Sequence, residues 1–477
     1  MRAVIMVAYG FPPEGNAGVY RPLRFIRHLP AMGWSASIIA ADLAPDRWER
    51  YDPELLALVP SETEVIRVRG CDWWQAIQAR RAQRFKKKIS GSPTETIARY
   101  HAVRQAPIRS FFREIVHTAE AWYYHPDGAK SWIQPAVEAT VEVCTRQRAH
   151  VIWATGAPWS AFIVAQRVAQ RTGLPYVLDF RSSWTVVPSP EEARRPTWAK
   201  RRDQRTLYKL FQEAQAVIFF YDTEAECFWR AYPGALDVAR IHIIPNGYDG
   251  TIEEFAVSCG EKCTILYAGT LSSYRYDTLL HAVHKFKRAN PTQAKKLRLL
   301  FVGEGMETLL SEAAALGLSD IVVATGPTSH AEIMRLQQEA HALLMLGRPS
   351  TIKGYELIAG AKLFGYLQAG RPIIGVLPTD EARKVLQRVG VTTVADVDST
   401  AEIVSVLQKF LDAWAAGTLS ALIPERAACE VYSAQRQTAA LVRALEGAPA
   451  AEPFVPGSVE IPPSLLGDIG ARWARER

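Results

Sequence analysis

The sequence predicts an α/β protein made of two doubly wound, Rossmann-like domains in tandem. Three observations carry this. The chain opens on a strand, a glycine-rich loop, a helix and a strand. Short apolar runs then alternate with helix-period segments along both halves. A stretch of turn formers, Pro245-Asn246-Gly247-Tyr248-Asp249, separates the two series.

In order, Ala3-Val4-Ile5-Met6-Val7 is a short apolar run that suits a strand buried on both faces. The loop from Tyr9 to Gly18 follows. Val19, Leu23, Phe25, Ile26 and Leu29 recur at helical spacing, Gly33 ends that helix, and Ser35–Ala40 forms the next strand. Further strands are expected at Glu64–Val68, Val151–Ala154, Tyr176–Leu178, Ala216–Phe220 and His242–Ile244, with helices over 129–147, 158–172, 200–213 and 222–232. A second series begins near Lys262 with strand Thr264–Ala268 and a helix from Asp277 to Asn290. It continues through strand Arg298–Val302, the loop Gly303-Glu304-Gly305 and helix Glu307–Leu316. Strands at Ile321–Ala324, Ala342–Leu346, Pro372–Val376 and Thr392–Val394 complete it. The expected domains are 1–245 and 246–429, with a cleft between them and a helix around 430–446. Residues 447–463 are rich in Ala, Pro, Gly and Glu, so 447–477 reads as a loose tail. No tandem repeat of solenoid or propeller period is visible.

The 477 residues suffice for two or three cores, and the apolar share of 48% and charged share of 22% are those of an ordinary globular protein. A net charge of +7 is a mild basic bias. The six cysteines, at 71, 144, 227, 259, 263 and 429, outline no disulfide framework or zinc motif. With no apolar run of membrane-spanning length and no leader pattern, a cytoplasmic protein is expected, one that sits at most peripherally on the inner face of a membrane. Basic runs at Arg80–Lys88, beside Trp73-Trp74, and at Arg194–Arg205 read either as solvated faces or as docking on an anionic membrane surface. No nucleic-acid-reading module accompanies them. Asp396-Val397-Asp398 has the spacing of a metal-binding pair but reads as surface, and no metal or other cofactor is expected.

One segment is the most specific. Lys362-Leu363-Phe364-Gly365-Tyr366-Leu367, followed by Ala369-Gly370-Arg371-Pro372-Ile373-Ile374, resembles the donor-site helix of nucleotide-sugar glycosyltransferases of the GT-B fold, glycosyltransferase family four in particular. Other matches follow in the family's order. Tyr9 to Gly18 with Arg21 resembles its N-terminal loop, and Tyr124-His125-Pro126-Asp127 with Trp132 its Pro-Asp…Trp element. Asp179-Phe180-Arg181-Ser182-Ser183-Trp184 is similar to Asp-Phe-Arg-Asp-Pro-Trp. Pro245–Asp249 resembles the crossover loop, Tyr267-Ala268-Gly269-Thr270-Leu271 with Arg275 the first donor-phosphate loop, and Gly326-Pro327 with Glu332 the turn that meets the base.

The resemblance covers roughly residues 1–445 and implies a helix near 430–446 that packs back on the first domain. It also implies a retaining, metal-independent transfer of sugar from a nucleotide diphosphate sugar to a glycan or lipid-linked acceptor in surface polysaccharide assembly. Arg275 and Lys362 would be the catalytic cations that meet the leaving diphosphate. Gly15, Gly18, Gly269, Gly303, Glu304, Gly305, Gly326, Pro327, Gly365, Tyr366 and Leu367 would bind the donor. Asn16, Asp179 and Arg181 would lie on the acceptor side.

Departures matter as much as matches. Gly365 stands where the family has the Glu that holds the donor ribose, Ser182 where it has Asp, and Phe162 where it commonly has His. Losing one charge-assisted hydrogen bond weakens binding about 10–100-fold. Either the donor pocket is retuned, or the chain is a degenerate homologue that serves a partner glycosyltransferase. Among nearby carboxylates, Glu356, Asp380 and Glu381 are candidates to replace the missing Glu.

Overall fold

The structure, a computed structural model, describes residues 1–43, 51–70, 122–186, 195–255, 261–271, 274–348, 359–459 and 461. Trp73-Trp74, the basic run at Arg80–Lys88, Arg194, Glu356, Cys71 and Cys259 lie outside the described residues.

The chain divides into two compact units, one of residues 1–244 with 438–477 and one of 245–437. The first holds a parallel sheet of β1 (Arg2–Val7), β2 (Trp34–Ala41), β3 (Val65–Val68), β4 (Val151–Gly156), β5 (Tyr176–Phe180), β6 (Ala216–Phe219) and β7 (Ile241–Ile243). Its order is β3-β2-β1-β4-β5-β6-β7, with Val4 opposite Val151 where the order reverses. The strands are nearly continuous apolar runs because helices cover the sheet. Those helices are α1 (Tyr20–His28), α2 (Ile133–Gln147), α3 (Ser160–Thr172), α4 (Thr197–Glu213) and α5 (Asp222–Ala231). Strands β4 and β5 run two residues past the sequence expectation, because Gly156 still pairs with Phe180 before the Ala157-Pro158 turn.

The second unit repeats the plan. Strands β8 (Cys263–Ala268), β9 (Leu297–Val302), β10 (Val322–Thr325), β11 (Ala342–Leu346), β12 (Ile373–Leu377) and β13 (Val394–Asp396) order as β10-β9-β8-β11-β12-β13, all parallel. Helices α6 (Asp277–Ala289), α7 (Glu307–Ala315), α8 (His330–Glu339), α9 (Ala361–Gln368), α10 (Glu381–Arg388) and α11 (Thr400–Ala415) connect or flank them. This arrangement is the GT-B fold. Its core gathers Tyr267, Phe286, Phe301, Leu346 and Phe410.

The last helix, α12 (Ala434–Leu445), places Leu441, Ala444 and Leu445 in the first unit's core beside Val151 and Ile218. The tail expected to be loose is not so over 447–459. Phe454 is buried, and Gly457 N–H donates to the buried Glu226 carboxylate at 2.9 Å. One aromatic anchor offsets the entropy that composition alone weighs.

Candidate functional site

In sheets of this order, ligands bind beyond the carboxyl ends of the strands where the order reverses. In the second unit that point lies between β8 and β11, and Lys362 comes to it from the first turn of α9. The Lys362 ammonium stands 3.8 Å above the Tyr267 ring and 5.2 Å from that of Tyr274. A Cβ added at Gly269 would lie 2.7 Å from it, so glycine is what admits the lysine. Among the described residues Lys362 has no carboxylate or hydrogen-bond partner, and burial pulls its pKa down to about 7. The only compensation is the face of the tyrosine rings.

The adjoining loops close on each other. Gly269 N–H donates to Val302 O at 2.8 Å, Leu271 N–H to Glu304 O at 3.0 Å and Gly303 N–H to Thr325 O at 3.2 Å. Gly303 has φ +139, and a Cβ on it would lie 2.4 Å from Gly269 O. These glycines thus permit loop-on-loop packing, and their own amides are already bonded. Glu304, Gly305, Gly326 and Pro327 lie exposed along the same edge. Helix α9 begins with Gly360 at its N-cap and no side-chain cap, which leaves first-turn amides beside Lys362.

Other predicted donor residues act differently from expectation. Tyr366 is wholly buried, and its hydroxyl accepts from Ala268 N–H at 3.3 Å, so it braces the end of β8. Leu367 is core. Arg275 pairs with Asp277 at 3.1 Å and with Asp398, so two carboxylates match its charge. Asp398 and Asp396 are accordingly spent on ion pairs with Arg275 and Arg383. Among the described residues a Cβ at Gly365 meets nothing within 4 Å, so no described neighbour refills that space. Asp380 caps α10 through Arg383 N–H at 2.8 Å, with burial raising its pKa to about 7, and Glu381 is buried against Lys384 at 2.7 Å. Both described candidates to replace the missing Glu are therefore committed elsewhere.

In the first unit the corresponding edge is crowded with matched charge. Arg21, second in α1, meets Asp179 of β5 through Nη2–Oδ1 at 2.8 Å and Nε–Oδ2 at 3.1 Å. Thr155 of β4 donates to the same carboxylate at 3.2 Å. Both charges are buried, at 2% and 0% exposure, and the Arg21 guanidinium also lies 4.5 Å over the Phe220 ring. Asp179, expected on the acceptor side, is thus sealed within the fold. Arg181 ties three loops together, donating from Nη1 to Gly18 O at 2.5 Å, from Nη2 to Ala157 O and from its backbone N–H to Gly156 O at 2.8 Å. Burial pulls its pKa to about 10, still far above neutrality.

Gly18 was expected to offer its amide to the diphosphate. That amide instead donates to Asn16 Oδ1 at 2.9 Å, and a Cβ on Gly18 would meet Arg181 Nη1 at 2.1 Å. Asn16 in turn donates to Glu14 Oε1 at 2.5 Å, and Gly15 between them is buried. Phe162 packs tilted against Phe180 at 4.8 Å and Trp159 at 5.6 Å, so the position expected to depart from a His is a core residue here. Asp127 caps α3, accepting from Ser160 N–H at 2.9 Å and Ser160 Oγ at 2.6 Å.

Sequence reasoning missed the Arg21–Asp179 pair as a pair and the tyrosine seat of Lys362. Arg21 and Asp179 were each singled out, but partners 158 residues apart leave no signal in spacing.

No protein-family model matches this chain, and no curated protein sequence does. Solved structures do share its fold. A sucrose-phosphate synthase from Thermosynechococcus elongatus superposes with a TM-score of 0.57 at 14% identity, over 93% of this chain and 98% of that one. The lipopolysaccharide outer core galactosyltransferase WaaB gives 0.54 at 11% identity, over 94% and 99%. TarM from S. aureus, in complex with fondaparinux, α-GlcNAc-glycerol and UDP, gives 0.54 at 9% identity, over 93% and 100%. At such identities the likeness is one of fold.

Proposed function

We propose that the chain is a glycosyltransferase whose second unit binds a nucleotide diphosphate sugar with its diphosphate against Lys362. One observation carries this reading. Among the described residues Lys362 is an ammonium without a counter-charge, held over two tyrosines at the switch point, beside helix amides with no side-chain cap. An anion there would restore the full charge that burial takes from the lysine. In the reaction the bond from the sugar's anomeric carbon to phosphate oxygen breaks, an acceptor hydroxyl forms the new bond and loses its proton, and nucleoside diphosphate leaves. Lys362 would stabilise the charge that grows on that diphosphate without a metal.

The neighbours of known activity support sugar transfer as the class of reaction. WaaB by its name, a lipopolysaccharide outer core galactosyltransferase, and TarM by its bound α-GlcNAc-glycerol and UDP favour a glycan or lipid-linked acceptor. Retention of configuration, and work at the inner face of a membrane, belong to the same reading. Among the described residues no helix is long and apolar enough to cross a membrane.

The open space at Gly365 supports the second reading, a degenerate homologue acting beside a partner glycosyltransferase, because neither Asp380 nor Glu381 replaces the missing carboxylate. Calorimetry with UDP and GDP, followed by hydrolysis assays on a panel of nucleotide sugars, separates the readings. Binding that Lys362→Ala weakens about 10–100-fold, with turnover, supports the enzyme. Binding without turnover favours the degenerate homologue. Equal affinity of wild type and Lys362→Ala removes Lys362 from the site.

A further inference from the structure

A second cationic site lies wholly within the first unit, away from the residues discussed above. A pocket of about 500 Å³ opens among α2, α3, α4 and the loop that leads into α2. That size suits a small-molecule ligand. Its walls carry Lys130, Arg167, Arg202 and Lys209, and no carboxylate lines it among the described residues. Arg202, Thr206 and Lys209 follow at i, i+4 and i+7, so one face of α4 presents both cations to the same space. Arg167 comes from the second turn of α3, and Lys130 from the turn before α2.

Among the described residues none of the four has a carboxylate partner. The nearest acid on α4, Asp203, is spent on His125 at 2.8 Å and Arg195 at 2.6 Å. His125 Nε2 lies 3.1 Å from Thr206 Oγ1, which sets a hydroxyl and an imidazole edge into the same wall. Ile133 and Ile163, both buried, give the pocket an apolar floor.

Gathering like charges around one cavity is unfavourable unless something relieves it. The strain is visible at Lys130. Burial, and then the repulsion of Arg202, pull its pKa below the ordinary lysine value, and its ammonium leans on Tyr123 at 4.6 Å and Trp122 at 5.8 Å. Arginines that converge with lysines match the several oxygens and double charge of a phosphate better than a single carboxylate.

We propose that this pocket binds a phosphate or diphosphate group carried on a compact ligand, as a site separate from that of Lys362. The apolar floor takes the ligand's body, and Arg167 and Arg202 grip the phosphate from α3 and α4. The group belongs either to a soluble phosphorylated compound or to a lipid headgroup, and the chemistry of the grip is the same.

The test uses the full chain carrying Lys362→Ala, so that the proposed donor site is weakened and any change on altering the pocket is read against that background. Calorimetric titration with inorganic pyrophosphate is compared among this background, Arg167→Gln/Arg202→Gln, Arg167→Lys/Arg202→Lys, and Arg205→Gln. Arg205 is exposed on α4 outside the pocket and controls for net charge. The expected result is binding in the background, weakened about tenfold or more by the Gln pair, largely kept by the Lys pair and unchanged by Arg205→Gln. Sedimentation with phosphatidylcholine vesicles, with and without phosphatidic acid, names the source. Vesicle binding that needs the two arginines and yields to pyrophosphate assigns a lipid headgroup, and binding of soluble pyrophosphate alone assigns a soluble ligand. The proposal is overturned if the background binds neither probe, or if Arg205→Gln weakens binding as much as the Gln pair.

Discussion

Two charged clusters occupy equivalent places in their own sheets, each where the strand order reverses, and they have been built to opposite rules. In the first unit's cluster the charges of Arg21, Asp179 and Arg181 are all answered. Arg21 and Asp179 neutralise each other, Thr155 adds a hydrogen bond, and the Arg181 guanidinium is shared between the loop carbonyls of Gly18 and Ala157. In the second unit, among the described residues, Lys362 is answered only by the faces of two tyrosines. A matched buried pair fixes a backbone, whereas an unmatched cation at a loop edge stores free energy that an anion can release. On the proposed reading the same fold uses one switch point as a brace and the other as a receptor, and the two should respond differently to substitution.

The largest effect is expected at the brace. Arg21→Ala leaves the Asp179 carboxylate buried with the Thr155 hydroxyl and the charge of Arg181 but without its paired guanidinium, and such half-broken pairs cost about 3–5 kcal/mol. Chemical denaturation should show that loss. Replacing both partners with apolar residues of similar volume should recover much of it, because the uncompensated charge is then gone. If Arg21→Ala proves mild, the cluster is no brace.

At the receptor the consequence is one of pH. Free Lys362 titrates near 7, and a bound diphosphate raises that pKa. Affinity for a nucleotide sugar should be level below pH 7 and fall by up to about tenfold per unit above it, until the raised pKa of the complex is passed. Lys362→Met should flatten the profile. Stability moves the other way. The folded pKa lies below the ordinary 10.5, so the unfolded chain holds more protons between about 7 and 10.5, and this lysine's contribution to stability rises with pH across that window. A nucleotide sugar suits the binding test because, unlike a free diphosphate, it has no terminal phosphate ionising in the same range.

A smaller effect separates the two glycine loops. Gly18→Ala drives a methyl into Arg181 Nη1, which must give up Gly18 O, a loss of about 1–3 kcal/mol for one charged hydrogen bond. Gly269→Ala carries a backbone at φ +133 as well as a methyl against Lys362. It should therefore lower both stability and nucleotide affinity, whereas Gly18→Ala lowers stability alone. Thermal melts paired with calorimetry on both variants distinguish the brace from the receptor.

Much of this architecture is legible in the sequence for a simple reason. Strands covered on both faces must be apolar throughout, so β1, β4, β8 and β11 stand out as short runs between turn formers, and their order follows from alternation with helices. Lys362 is legible because it sits in a motif. What the sequence hides is whether a charge is already answered. Arg275 reads as a free cation until Asp277 and Asp398 are seen to hold it, and Gly18 reads as an open amide until Asn16 caps it. The four cations of the basic pocket come from three elements between residues 130 and 209, and only the fold brings them together.

The finest comparison is between two substitutions at one position. Gly365 lies inside α9, where glycine costs about 0.8–1.0 kcal/mol relative to alanine, and a Cβ there meets nothing within 4 Å. Gly365→Ala should therefore stabilise the protein by about 1 kcal/mol and leave nucleotide binding unchanged. Gly365→Glu brings a similar helix gain and also a carboxylate where relatives are expected to hold ribose. If the open space faces the donor, nucleotide affinity should rise by up to about tenfold, the net worth of one hydrogen bond. The gain should stay smaller than the loss caused by Lys362→Ala, since a hydroxyl contact is weaker than a phosphate's charge. Calorimetry on Ala, Glu and wild type resolves the two contributions, because helix propensity moves the melting temperature of both variants and ribose recognition moves the affinity of only one. If Glu and Ala bind alike, the space at Gly365 does not face the ribose, and the replacement of Glu by Gly in this chain says nothing about whether it still catalyses.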